Sequence, residues 1–202
     1  MNSTFKIVIS FLLVFLFINN YAQTSPENFW KHRCVFNTDG SGKSLGLKIR
    51  FSIPCEWEQI DGDRPHIVKK FSYSFADGSS IVQTLLVNKM PRSLTKEETN
   101  EMFTQSGLKE VGKSLGTFIS GRKLLIDGLD CGEVTFKFEK EAPIGKIYGY
   151  VIQYFFFYKN KMIVFNFGSG SSSNETSKSI FETHKTLFKG IAGTMVFISK
   201  WE

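Results

Sequence analysis

Three cysteines, three histidines and no run of lysine or arginine longer than two leave this chain poor in the groups on which most catalytic and nucleic-acid-binding motifs are built. It holds no serine nucleophile elbow, no H-E-x-x-H and no carboxylate pair in a recognisable context, which removes the commonest hydrolase signatures. Its basic surplus is spread thinly, so it reads as a solvated surface and not as a track for phosphates. No nucleic acid is expected as a partner. His32, Cys34, Cys55 and His66 follow the spacing H-x-C, 20 residues, C, 10 residues, H, which fits no familiar zinc pattern. No metal and no cofactor is expected. Long apolar runs are also missing: the longest, from Ile7 to Ile18, has 12 residues, against the roughly 20 that a membrane-spanning helix needs.

That run has a different use. Preceded by Lys6 and followed by a short polar stretch to Ala22, it has the pattern of a secretory signal peptide over residues 1–22. Cleavage after Ala22 would expose Gln23, although Asn20 is not the small residue favoured three positions before a cut. Cys34 lies 12 residues beyond Ala22, too far to be lipidated in the manner of a lipoprotein. The expected product is a secreted or periplasmic protein with no integral membrane segment, and loss of Lys6 lowers its formal charge from +6 to +5. What remains suits one domain, with an N-terminal arm at 23–45 and an α/β domain at 46–202.

An odd number of cysteines in an oxidising compartment implies one disulfide and one free thiol. The sequence leaves the pairing open. Cys34 with Cys55 would close a loop of about 20 residues and stabilise by about 3 kcal/mol on the chain-entropy model, leaving Cys131 as a small buried residue at a strand start. In FSIPCEWEQI, Ile53 ends a strand, Pro54 lacks the amide that a further ladder bond needs, and Trp57 is placed to fold back beneath the corner.

The arm carries Ser, Asn, Thr, Gly and Asp without periodicity. In GLKIRFSI, Leu47, Ile49, Phe51 and Ile53 alternate with Lys48, Arg50 and Ser52, the period of a half-buried strand. HIVKKFSYSFADGSSIVQTLLVNKM predicts a hairpin about Asp77-Gly78. SLTKEETNEMFTQSG predicts one helix of about three turns, with a Thr95/Glu98 capping box and a stop at Gly107. A link including SLGTFIS leads to the strand RKLLI, a turn at Asp127-Gly128 and the strand EVTFKF. KIYGYVIQYFFFY is apolar on both alternating sets, Ile147, Val151, Phe155 and Phe157 against Tyr148, Tyr150, Ile152, Tyr154 and Phe156. A strand of that kind needs cover on both faces, so three layers are expected. KMIVFNF pairs with it, GSGSSSN is a loop, SNETSKSIFETHKTLFKG is an amphipathic helix and TMVFIS a last strand.

Four stretches invite chemical readings. NTDGSGKS approaches the phosphate-binding P-loop, but Asn37 stands at the first glycine position and a strand follows where the motif requires a helix. GSGSSSNET precedes a helix and could hold an anion, though without the P-loop lysine it reads first as a cap and linker. Asn174-Glu175-Thr176 also matches the N-glycosylation acceptor pattern. His184 falls on the apolar face of the last helix, where a packed histidine is the plainer reading. Cys55 as a hydrolase nucleophile would need a positive neighbour, whereas Glu56 and Glu58 raise a thiol's pKa. No catalytic residue is assigned.

The order of elements, with Phe51, Ile53, Pro54 and Trp57 in FSIPCEW, the run IYGYVIQYFFFYKNKMIVFNFGS, and Phe181, Leu187 and Phe188, resembles the PsbP-like superfamily, which includes DcrB-like envelope proteins. The resemblance covers about residues 46–199. It implies an α+β fold, an antiparallel sheet in an α/β/α sandwich, used for binding or assembly and not for catalysis. The extra arm and the cysteine within the P-x-x-W turn depart from that pattern. The expectation is an exported, non-catalytic accessory or binding module of the bacterial envelope, whose partner is another envelope protein or a small apolar ligand. The alternatives are a small thiol hydrolase using Cys55 or Cys131, or a carrier of an apolar ligand.

Overall fold

In the computed structural model, which describes residues 26–143 and 145–202, the run KIYGYVIQYFFFY lies within β8 (Gly145–Tyr158), and both of its faces are covered. The expected leader at 1–22 lies outside the described residues. On one face Tyr150, Ile152, Tyr154 and Phe156 join the main core. On the other, Phe155, flanked by Val151 and Phe157, packs with Phe103, Leu108, Val134, Phe136 and Val164. Cover on both faces follows from the doubly apolar pattern, since neither set could remain in water.

β8 is an interior strand of a seven-stranded antiparallel sheet with β3 (Glu58–Asp61), β4 (Ile67–Ser74), β5 (Ser80–Lys89), β6 (Thr117–Ile126), β7 (Leu129–Ala142) and β9 (Lys161–Ser171). The spatial order is β3-β4-β5-β9-β8-β7-β6. A smaller sheet, β1-β2-β10, is formed by β1 (Arg33–Asn37), β2 (Ile49–Pro54) and β10 (Val196–Phe197). It shares the main core with α4 (Asn174–Gly193), through Ile49, Phe51, Ile53 and Phe197 beside Phe181, Leu187 and Phe188. α2 (Lys96–Met102) and α3 (Gln105–Leu115) cover the opposite face through Phe103 and Leu108. A short α1 (Pro26–Lys31) packs against α4. The architecture is α+β, an antiparallel sheet flanked by helices, as expected. Among the described residues no helix is long and apolar enough to cross a membrane.

The turns follow their residues. Asp127 (φ 49°) and Gly128 (φ 69°) both adopt the left-handed conformation that a two-residue hairpin loop requires, and Gly78 (φ 80°) closes the β4–β5 turn.

Five local expectations need correction. The single helix with a stop at Gly107 is two helices. Thr95 and Glu98 form their capping box, but the break comes at Phe103, and Thr104 caps α3 by accepting from the Gly107 amide. Gly107 is therefore in the first turn of the second helix. A Cβ there would lie 2.5 Å from the Glu101 carbonyl oxygen, so glycine permits close approach instead of ending a helix. SLGTFIS is no separate link: it runs from the end of α3 into β6, with Gly116 between. The arm at 23–45 contains a strand, since β1 pairs with β2 in the register Cys34↔Ile53 and Phe36↔Phe51. Being exposed along most of its length, β1 carries no apolar alternation to announce it. GSGSSSN is strand as far as Ser171, and Ser169 turns inward to donate to the Ser177 carbonyl of α4 at 2.7 Å. Polar composition suggested a loop; paired serines at a helix–sheet contact give the same composition. TMVFIS contributes two strand residues only, and these pair with β2.

Candidate functional site

β2 ends at Pro54, and the chain turns sharply enough for the Trp57 amide to donate to the Pro54 carbonyl at 3.2 Å. Trp57 is buried in the main core, its indole N–H meeting no acceptor among the described residues. Between them Cys55 is joined to Cys34 of β1 by a disulfide, with Cα atoms 4.9 Å apart. Cys34 and Cys55 face solvent, while Cys131, at the start of β7, is fully buried. Burial pushes the Cys131 thiol well above the ordinary thiol range. One sulfur of the hydrolase alternative is thus oxidised and the other inaccessible and protonated. Cys34 and Cys55 are likewise removed as thiolate ligands from the set His32, Cys34, Cys55 and His66.

The P-loop-like segment is used internally. Gly42–Ser44 forms a single 3-10 turn, the Lys43 ammonium donates to the Gly62 carbonyl at 2.5 Å, and Ser44 donates to the Ser41 carbonyl. The start of α4 is similarly occupied. Ser173 caps it by accepting from the Thr176 amide, Glu175 lies in its first turn, and Asn174 accepts from the Tyr150 hydroxyl at 3.1 Å. An anion would have to displace the carboxylate that α4 already presents to its own N-terminal amides.

Among the described residues, a cleft of about 700 Å³ lies between the β4–β5 turn and the first half of α4. Tyr73 and Phe75, edge to face with centroids 5.1 Å apart, supply aromatic wall from the hairpin. α4 supplies Glu175, Thr176, Ser179, Ile180, Thr183 and His184. Asp77 enters from the turn. Its carboxylate accepts from the Ser79 hydroxyl at 2.5 Å and the Ser79 amide at 2.9 Å, which hold its pKa below the usual carboxylate range. Glu175 is also held low, by backbone hydrogen bonding at the helix start and then by Ser173. Both are anionic at neutral pH.

His184 lines the cleft while being only 4% exposed. Its Nδ1 is 2.8 Å from the Ile180 carbonyl oxygen, and because a carbonyl only accepts, Nδ1 carries the proton. The ring lies edge-on to Phe75 and stacks on Phe188. Burial lowers its pKa below the ordinary 6.5, outweighing the bond to Ile180. The sign of the resulting pH dependence is fixed: the unfolded chain takes up this proton more readily, so the contribution is whole above pH 6.5 and declines as pH falls through the lower folded value. Urea midpoints measured from pH 7 to 5 should fall for the native sequence and stay flatter for His184→Gln. Equal slopes would refute a buried neutral imidazole.

Sequence reasoning recognised Asp77-Gly78 as a turn and His184 as a packed helix residue, and missed that they share a cleft. No local signal joins them, because the β4–β5 turn and α4 are about a hundred residues apart and meet only through the sheet. A second hollow of about 550 Å³ lies along α2 and α3, with Glu98, Glu101 and Glu110 on its rim. Glu98 is engaged by Arg92 and the Thr95 amide, which bring its pKa down to about 2.

No family profile and no curated protein matches this sequence. Among solved structures the chain is similar to the cyanobacterial PsbP (CyanoP) of Synechocystis sp. PCC 6803, with 14% identity, a TM-score of 0.47, and coverage of 82% of this chain and 92% of that one. It is also similar to a crystallised protein of Bacteroides thetaiotaomicron VPI-5482, with 13% identity, a TM-score of 0.40, and coverage of 81% of this chain and 47% of the other. Neither structure speaks to the DcrB-like branch.

Proposed function

We propose that this protein is an exported, non-catalytic binding module of the bacterial envelope, and that it engages its ligand at the cleft between the β4–β5 turn and α4. The observation that carries this reading is the state of the sulfurs. A solvent-facing Cys34–Cys55 bridge belongs to an oxidising compartment, and with Cys131 sealed in the core no thiol is placed to attack a substrate. The cleft favours binding over chemistry for a related reason: its histidine is packed between rings, tied to a helix carbonyl and depressed in basicity.

The carrier alternative finds less support. Phe165, Phe167 and Phe188 contact one another in sequence at 4.8 and 5.3 Å, occupying the layer between sheet and α4 where a carried apolar molecule would sit. Intact mass spectrometry of the protein from its own host, alkylated without reductant, tests the proposal. The expected product lacks residues 1–22, retains the Cys34–Cys55 bridge and takes one alkyl group, on Cys131, only after denaturation. An uncleaved leader, or a Cys55 alkylated rapidly in the native protein, would overturn it.

A further inference from the structure

The charge of the cleft is opposite to that of the chain. The protein carries 25 lysines and arginines against 19 acidic residues, yet among the described residues the cleft's lining includes Asp77 and Glu175 and neither a lysine nor an arginine. The carboxylates enter from different elements, one from a hairpin turn and one from the first turn of a helix. Among the described residues neither is committed to a cation there: Asp77 is held by the hydroxyl and amide of Ser79, and Glu175 accepts from the Ser173 hydroxyl at 3.3 Å. Tyr73 and Phe75 stand beside them, with the hydroxyl-bearing Ser79, Thr176 and Thr183 on the lining.

We infer that the cleft between the β4–β5 turn and α4 binds a small organic cation, an ammonium group carried on an apolar body. The inference rests on the cleft being the binding site proposed above, and it adds the ligand's chemical class. Aromatic rings attract a cation through the negative potential over their faces, and they attract weakly hydrated alkylammonium groups more readily than metal ions, which demand oxygen coordination. The carboxylates add long-range attraction, while Ile180 and the two rings accept the apolar part. His184 supports the assignment by staying neutral at pH 7, its proton on Nδ1 already used by Ile180. An anionic ligand would meet two ionised carboxylates with no lysine or arginine among the described lining residues to offset them.

The test compares two molecules of nearly one shape, choline and its uncharged isostere 3,3-dimethylbutan-1-ol, titrated into the mature protein at pH 7 and read by amide chemical shifts. Choline should shift residues 73–79 and 175–184 and bind about tenfold more tightly than the isostere, equivalent to about 1.4 kcal/mol. Asp77→Asn and Glu175→Gln keep an oxygen acceptor for Ser79 and Ser173, so the fold should stand while each weakens choline severalfold. Glu110→Gln, on the rim of the other hollow, should change nothing. Equal binding of the two molecules would overturn the cation class and leave the cleft a binding site. Shifts from neither molecule would overturn the cleft reading as well. Weakening by Glu110→Gln equal to that by Asp77→Asn would overturn the inference by showing general attraction to surface carboxylates.

Discussion

Phe167→Ala should lower the stability of this protein by about 3–5 kcal/mol, the range for truncating a buried phenylalanine. Phe167 is fully buried in β9 and stacks on Phe188 of α4 at 5.3 Å, with Phe165 at 4.8 Å and Tyr154 at 6.2 Å. It is thus one of the side chains through which the last helix grips the middle of the sheet. Its removal deletes the stacked contact and leaves a hole that neighbours in regular structure cannot close. The flanking strands place Ile152 on one side and Gln83 on the other. Gln83 is completely buried, and its side-chain amide meets no partner among the described residues. Water entering the hole could satisfy that amide, which argues for the lower half of the range. Urea unfolding followed by circular dichroism would show the change as a lower midpoint at an unchanged slope. A loss under about 1 kcal/mol would mean that α4 is held chiefly elsewhere.

The second large effect is expected at the corner. Replacing Cys34 and Cys55 together by serine should cost about 3 kcal/mol, because the bridge spans 21 positions and removes loop-closure entropy from the unfolded chain. The bridge also fastens an edge strand whose own packing is meagre. β1 contributes Phe36, partly buried against Phe51 and Phe71, and the preceding helix contributes Phe29. The double variant should therefore unfold at lower urea while retaining β2 and the seven-stranded sheet, and adding reductant should bring the native sequence to the same midpoint. If reductant leaves the native midpoint unmoved, the bridge does not constrain the unfolded state as argued.

How much of this was readable in advance depended on whether a residue's signal was local. The two apolar faces of β8 demanded three layers, and three layers are found. Asp77-Gly78 and Asp127-Gly128 announced hairpins because their backbone freedom is local chemistry. The pairing of Cys34 with Cys55 was one option that loop length and the arm's position made attractive; the sequence alone could not select it. Failures came where tertiary contact determined the outcome. Gly107 looks like a stop until the Glu101 carbonyl is seen against it, and the serines after Phe167 look like a loop until Ser177 is placed across from Ser169. The cleft could not be read at all, since its two walls acquire a common address only when β5 has paired with β9.

That pairing also determines when the molecule can fold. Partners on β5 and β9 are separated by between 72 residues (Lys89↔Lys161) and 90 residues (Ser80↔Gly170), and β10 reaches back to β2 across 146, from Val196 to Arg50. A chain emerging from its N-terminus offers β3, β4 and β5 long before β9 exists to join them, so the β4–β5 hairpin waits with Ile81, Leu85 and Val87 uncovered. Folding should be slow by the standard of its size and limited by late, long-range strand pairing. Cys34 and Cys55, close in sequence and early in the chain, can meet before that step, so oxidation can precede the sheet and hold the first corner in place while the rest arrives.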